Sequence, residues 1–131
     1  MFNRHECRLK LVFALFKSLL LDRNIKQVFI NDNEYDIEKG YFNEDKDYID
    51  KVLDDLENNT NNYIDLIKPL LVHWDIDRIN YLDKAIMIEA ISEIKTGLNN
   101  KKIAINEAII ISKEYIPDDN YKYINGVLDK I

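Results

Sequence analysis

Residues 102–131, which read KIAINEAIIISKEYIPDDNYKYINGVLDKI, decide the fold. In the second half of this stretch, apolar residues recur at steps of three and four: Tyr121, Ile124, Leu128 and Ile131. This is the spacing of a helix. The dipeptide Asn125-Gly126, which is common in tight β-hairpin turns, lies inside that helical pattern. Because a glycine costs a helix about 1 kcal/mol relative to alanine, we expect another helix to lie so close to Gly126 that a larger side chain would clash.

Composition also favours helices. The chain has 131 residues, enough for one domain with a sizeable core, and 47% of them are hydrophobic. It contains only 3 Gly and 2 Pro, whereas a fold of many strands needs a turn about every 8–12 residues. A single cysteine, Cys7, excludes an internal disulfide. No stretch approaches the ~20 uninterrupted apolar residues of a membrane span, so we expect a soluble, cytoplasmic protein.

Apolar spacing predicts where the helices lie. The predicted ranges are 4–22, 24–30, 44–58, 63–73, 79–96, 103–115 and 119–131. We expect residues 31–43 to form an exposed loop, the polar run 58–62 to separate two helices, and residues 74–78 to be irregular. Asp118 or Asp119 is expected to cap the last helix.

Charge is divided unevenly along the chain. The net charge is −6, but residues 1–30 carry +4 and residues 31–60 carry −8. Arg4 and Arg8 lie one helical turn apart, which makes the N-terminal end a candidate phosphate-binding patch. Salt limits the reach of distant acids to about 8–10 Å, so the acidic segment need not cancel this patch. The alternative is an ordinary solvated helix start.

Catalytic and metal chemistry receive no support from the sequence. Two histidines and one cysteine cannot form an ordinary zinc site without carboxylates, and three isolated glycines do not form a phosphate-binding loop. In the last predicted helix, Lys122 is suited to a phosphate and Tyr123, which lies off the apolar stripe, is suited to stacking on an unpaired base. The alternative for Tyr123 is half-buried packing. We therefore predict that the protein is not an enzyme and binds neither a metal nor a cofactor.

Several motifs together resemble one family. Residues 102–108 (KIAINEA) and 125–131 (NGVLDKI) closely resemble the C-terminal signature of NusB, the bacterial transcription antitermination family. The run from Asp77 to Ile86 looks like the central helix of that family, and His5-Glu6-Cys7 with Phe13 resembles its first helix. The resemblance is strong from about residue 75 onward, fair at residues 4–20 and weak at residues 31–60.

The resemblance implies an all-α fold of about seven helices. Two small helical bundles would pack together as one domain over residues 1–131, with subdomains at about 1–75 and 76–131. NusB proteins are not enzymes; they pair with NusE, which is also a small-subunit ribosomal protein. The pair binds boxA, a single-stranded sequence of nascent RNA, within the RNA polymerase antitermination complex, so that ribosomal RNA operons are transcribed processively.

The resemblance also implies which residues bind RNA and the protein partner. The positions that match RNA-facing ones are Arg4, His5, Arg8, Asp119, Lys122 and Tyr123. Phe13 and Asp83 match positions that face NusE. The arginine-rich start of the family is depleted here, since Phe2 and Asn3 stand where arginines are common. Removing one cation that binds a phosphate lowers the salt dependence by about one unit, so we expect RNA binding weaker than is usual in the family.

Other roles for the same fold stay open. A NusB-like domain also forms the N-terminal part of a ribosomal RNA cytosine methyltransferase, but the chain ends at Ile131 directly after the motif, so we expect no catalytic domain. A homodimer could bury the RNA-binding surface. The remaining alternative is a helical protein-interaction module with little RNA binding of its own.

Overall fold

The computed structural model describes residues 1–73 and 75–131; Trp74, part of the stretch predicted to be irregular, lies outside the described residues. Seven α-helices occur there: α1 Arg4–Leu21, α2 Ile25–Asp32, α3 Glu34–Glu38, α4 Lys46–Ile67, α5 Tyr81–Lys95, α6 Lys101–Tyr115 and α7 Asn120–Asp129. Short 3-10 helices lie at Asn43–Asp45, Lys68–Leu70 and Ile76–Arg78. No β-strand occurs in the described ranges, so the all-α prediction is confirmed. Over the same ranges, none of the helices is long and apolar enough to cross a membrane.

Helix α5 forms the centre of the molecule. Every residue from Asp83 to Glu93 is buried, because α1 and α4 pack against this helix, and so do α6 and α7. One continuous cluster of apolar side chains joins all these helices. A helix that is covered on all sides cannot place its charged residues in water, so those residues need partners inside the protein.

Asparagine caps begin four of the helices. Asn3, Asn24, Asn80 and Asn100 each accept a hydrogen bond from a backbone amide in the first turn of the helix that follows. Such a cap contributes typically about 1 kcal/mol. The prediction that Asp118 or Asp119 caps α7 is wrong. Asp119 occupies the cap position, but its carboxylate accepts from the Lys122 ammonium at 3.2 Å and no amide is capped.

The polar run at residues 58–62 does not separate two helices, contrary to the prediction. It lies inside α4, a single helix of 22 residues that replaces the two helices predicted there. Its side chains form hydrogen bonds within the helix: Asn58 donates to the Asp54 carbonyl at 2.9 Å, and Asn59 donates to the Asp55 carboxylate at 2.9 Å. The stretch 31–43 is also not a simple loop, since it contains the end of α2 and all of α3.

Gly126 does not pack against another helix. It lies in α7, as the periodicity predicts, but it is exposed, and a Cβ built on it meets nothing within 4 Å. The predicted close approach of a second helix is therefore wrong. The burial of Ile124, Val127 and Leu128 on the opposite side of α7 offsets the cost of the glycine.

Candidate RNA and partner interfaces

The start of α1 carries two of the residues predicted to bind RNA. The Arg4 side chain is 43% exposed, and its guanidinium donates two hydrogen bonds of 3.0 Å to the Asp45 carboxylate. His5 lies against α6, with its ring nitrogens 3.6 Å from Glu107 and 3.4 Å from Glu114. Both side chains reach the surface, and both already face carboxylates.

Arg8 is placed differently, because it is buried. Its guanidinium donates to both carboxylate oxygens of Glu93, at 2.7 and 2.9 Å, and lies 3.2 Å from Glu107. Only 3% of Arg8 is exposed. The prediction that Arg8 contacts a phosphate is therefore not supported by the structure, since this guanidinium is held inside the protein by α5 and α6.

Two glutamates of α5 share the space beside Arg8. The Tyr48 hydroxyl of α4 lies 3.0 Å from a carboxylate oxygen of Glu89 and 3.0 Å from one of Glu93. Burial and the neighbouring Glu93 raise the pKa of Glu89 well above its ordinary value. Burial acts in the same direction on Glu93, but the hydrogen bonds from Glu89 and Arg8 outweigh it and lower the pKa of Glu93 to about 2. Glu89 is thus the protonated member of the pair, and Glu93 carries the negative charge that balances Arg8.

The start of α7 carries the other residues predicted to bind RNA. Asp119 and Lys122 are exposed and pair with each other. Tyr123 is half-buried, and its hydroxyl donates to the carboxylate of Asp83 on α5. Burial and Asp83 raise the pKa of this phenol, so it stays protonated. The ring is therefore held in a fixed orientation at the beginning of α7.

Asp83, predicted to face a protein partner, is instead an interior acceptor. It is 1% exposed, and one of its oxygens accepts from Tyr123, from Asn120 at 2.9 Å and from Asn80 at 3.0 Å. Its other oxygen is buried without a hydrogen-bond partner in the described part of the chain. Burial raises the pKa of this carboxyl, although the three donors oppose the shift. Direct contact between Asp83 and a partner is not supported by this geometry.

Phe13 lies beside an open groove with an aromatic wall, which we call the aromatic groove. It lies between α1, the start of α5 and the end of α6, has a volume of about 570 Å³, and is lined by Phe16, Tyr81, Leu82, Tyr115, Ile116 and Pro117 among others. The ring of Phe13 meets that of Tyr115 edge-on at 5.1 Å between centroids. Phe13, Tyr81 and Tyr115 are 36%, 40% and 45% exposed. Aromatic side chains that remain exposed around a groove are typical of a protein interface.

Several residues of these surfaces were not predicted from the sequence. Asn120 and Tyr115 were not singled out, although Asn120 shares the Asp83 carboxylate with Tyr123 and Tyr115 forms part of the aromatic groove. One signal was available for Tyr115: it ends an apolar-periodic helix just before Pro117, where an aromatic side chain is poorly covered. For Asn120 no such signal exists, because its partner lies 37 positions away in the chain.

Comparison with known proteins identifies relatives over nearly the whole chain. The model of the NusB family matches residues 5–131. The transcription antitermination protein NusB of Clostridium botulinum is 35% identical, covering 98% of this chain and 97% of its own length. The protein of the same name from Campylobacter concisus is 33% identical, covering 100% and 97%. The solved structure of T. maritima NusB superimposes with a TM-score of 0.84 at 25% identity, covering 98% of this chain and 89% of that one.

Proposed function

The chain belongs to the NusB family, and from this premise we propose that it is a transcription antitermination factor that binds boxA-type single-stranded RNA together with the ribosomal protein NusE. In this role it promotes processive transcription of ribosomal RNA operons as part of the RNA polymerase antitermination complex. The observation that carries the proposal is the match to proteins named for transcription antitermination over almost their full length.

For the protein partner, we propose the aromatic groove as the binding surface. Partly exposed aromatic residues contribute large contact areas at a low entropic cost, and they often dominate the binding free energy of an interface. Phe13 lies at its edge and is braced by Tyr115, so the ring needs little reordering on binding. Asp83 contributes indirectly, since it fixes the first turn of α5, which carries Tyr81 and Leu82.

For RNA, we propose two short surfaces. At the start of α7, Lys122 contacts a phosphate while the ring of Tyr123 stacks on an unpaired base, an interaction typically worth about 1–3 kcal/mol. Asp119 sets the position of the Lys122 ammonium. At the start of α1, Arg4 and His5 bind further phosphates. Arg8 supports this surface from inside by holding α1 against α5 and α6.

The test is a titration of labelled boxA RNA and of a scrambled RNA of equal length into the protein with NusE from the same source, at about 50 mM and about 200 mM salt. We expect tight boxA binding that requires NusE and weakens with salt. Failure of NusE to bind, or equal affinity for both RNAs, would overturn the proposal.

Two substitutions separate the surfaces. Tyr123→Ala should weaken RNA binding about tenfold or more, whereas Tyr35→Ala, at an exposed tyrosine of α3, should not. Phe13→Ala should weaken NusE binding, whereas Ile37→Ala, at a similarly exposed apolar residue, should not. Circular dichroism and thermal unfolding check that each variant is folded.

A second candidate is a helical protein-interaction module, monomeric or dimeric, with little RNA binding of its own. One observation favours it. Five of the six Lys and Arg residues in segment 1–30 already pair with carboxylates: Arg4, Arg8, Lys10, Lys17 and Lys26. A protein that binds NusE but no RNA at either salt concentration would establish this candidate instead.

A further inference from the structure

The acidic segment 31–60 lies directly on the basic segment 1–30. Five ion pairs join them: Arg4 to Asp45 at 3.0 Å, Lys10 to Asp36 at 3.5 Å, Lys17 to Asp32 at 2.8 Å, and Lys26 to Asp54 at 2.6 Å and to Glu57 at 3.4 Å. These acids are therefore not the distant, screened charges expected from the sequence. Salt screens an ion pair much less when its members touch, so the acids compete directly with any phosphate for these cations.

The pair Arg4–Asp45 has the geometry that a phosphate would use. Nε and Nη2 of Arg4 each donate to a different oxygen of Asp45 at 3.0 Å, and the guanidinium carbon lies 4.1 Å from the centre of the Tyr48 ring. A guanidinium binds phosphate through the same pair of parallel N–H groups. Asp45 therefore occupies the edge of Arg4 that is best suited to RNA.

The surrounding backbone fixes Asp45 in this position. The amide of Phe2 donates to the Tyr41 carbonyl at 2.8 Å, and the Phe2 ring packs edge-on against Phe42 at 5.1 Å. The amide of Asp45 in turn donates to the Phe42 carbonyl at 3.0 Å. The start of α1 and the loop before α4 thus form one ordered unit, and the carboxylate meets Arg4 without a large ordering cost.

We propose that Asp45 is an autoinhibitory residue for RNA binding, which competes with the phosphates of RNA for Arg4. It holds Arg4 unless an RNA already bound through other residues brings a phosphate close enough to displace the carboxylate. Every RNA has to displace the same carboxylate to reach Arg4, so Asp45 lowers the affinity for each RNA whose phosphates use Arg4. This proposal rests on the RNA binding proposed above.

The test compares Asp45→Asn with Glu44→Gln. Both changes remove one negative charge at neighbouring positions, but Glu44 is exposed and forms no ion pair with any described residue. Asp45 makes no side-chain cap at the start of α4, so asparagine does not remove one. Binding of scrambled single-stranded RNA to the NusE complex should become about two- to fivefold tighter for Asp45→Asn, with a salt dependence steeper by about one unit. Glu44→Gln should change little.

A third comparison shows whether Asp45 acts through Arg4. In an Arg4→Gln background, Asp45→Asn should no longer increase RNA binding, because the group it releases is absent. Equal effects of Asp45→Asn and Glu44→Gln, or an undiminished effect in the Arg4→Gln background, would overturn the proposal, since either result means that only net charge matters.

The outcome is distinguishable from failure of the proposed function. If the complex binds RNA without preferring boxA, the antitermination proposal fails, and the same variants still decide the role of Asp45 on scrambled RNA. If neither the wild type nor Asp45→Asn binds any RNA, both proposals are overturned.

Discussion

The substitution Glu93→Gln should destabilise the protein far more than the substitution Glu89→Gln. The two residues lie one turn apart on α5, both are buried, and the chemical change is the same. They differ in charge state, because Glu93 balances Arg8 while Glu89 holds a proton. This makes each variant the matched control of the other.

The expected loss of unfolding free energy depends on which hydrogen-bond and ion-pair partners each substitution leaves unpaired. Glu93→Gln removes the charge that receives two hydrogen bonds from Arg8. It leaves a guanidinium that is 3% exposed, with Glu107 at 3.2 Å and the protonated Glu89 at 3.9 Å as the remaining carboxyl groups nearby. Removing one member of a buried ion pair typically costs about 3–5 kcal/mol. Glu89→Gln replaces a neutral acid by a neutral amide that still donates and accepts, so the cost near pH 5 should be within about 1 kcal/mol.

The pH dependence gives a sharper signature. A carboxyl whose pKa is raised in the folded state binds a proton that the unfolded chain releases above its ordinary pKa of about 4.3. The wild type therefore loses stability as pH rises from there towards the folded pKa of Glu89, by about 1.4 kcal/mol per pH unit, and Glu89→Gln does not. Glu93, with its pKa lowered to about 2, contributes stability above about pH 4.3 that is lost as pH falls towards 2.

The assay is urea unfolding followed by circular dichroism at several pH values between about 5 and 8, for the wild type and both variants. The difference between Glu89→Gln and the wild type should shift steadily in favour of the variant as pH rises. A pH-independent difference would refute the assignment of the proton to Glu89. Equal destabilisation by the two substitutions would refute the division of charge between the glutamates.

Three further predictions concern single positions. Gly126→Ala should raise the free energy of unfolding by about 0.5–1 kcal/mol, seen as a higher Tm, because the added methyl meets no atom and the helix loses its most flexible residue; a lower Tm would mean that α7 packs more closely than described. Tyr123→Phe should cost about 1–3 kcal/mol in urea unfolding, because the buried Asp83 loses a donor, and an unchanged midpoint would contradict that hydrogen bond. Cys7, fully buried with its pKa raised to about 11 by burial, should react with a thiol reagent only after unfolding; rapid labelling of the folded protein would show that α1 opens locally.

Local patterns predicted most of the helices. Apolar spacing located α1, α5, α6 and α7 to within a few residues, since these helices bury stripes that repeat every three or four positions. The same spacing continues from Leu56 through Tyr63 to Ile67 in α4. The polar run at residues 58–62 interrupts the apolar pattern, so the sequence predicted two helices there instead of one. Those polar side chains form hydrogen bonds within their own helix, and that favourable local chemistry is not visible in a hydrophobic pattern.

Charged residues were the main source of error in the candidate site. Arg8 was assigned to the RNA-binding surface from its helical spacing with Arg4 and from the family resemblance, and Asp83 was assigned to the partner surface from that resemblance. Both charged side chains are instead buried, which is rare unless partners are present. Their partners lie 85 and 40 positions away in the chain, Glu93 for Arg8 and Tyr123 for Asp83, so no local pattern indicates burial. Asp45, 41 positions from Arg4, illustrates the same limit at the surface.

The long separation between Arg8 and Glu93 also sets an order of events during synthesis. A ribosome adds about 5–20 residues per second, so roughly 4–17 seconds pass between the two residues. During that interval the nascent α1 exists without the central helix that covers its apolar face and neutralises its arginine. The N-terminal half therefore stays only partly packed during this interval, and the packing of α1 becomes complete only after α5 has been synthesised.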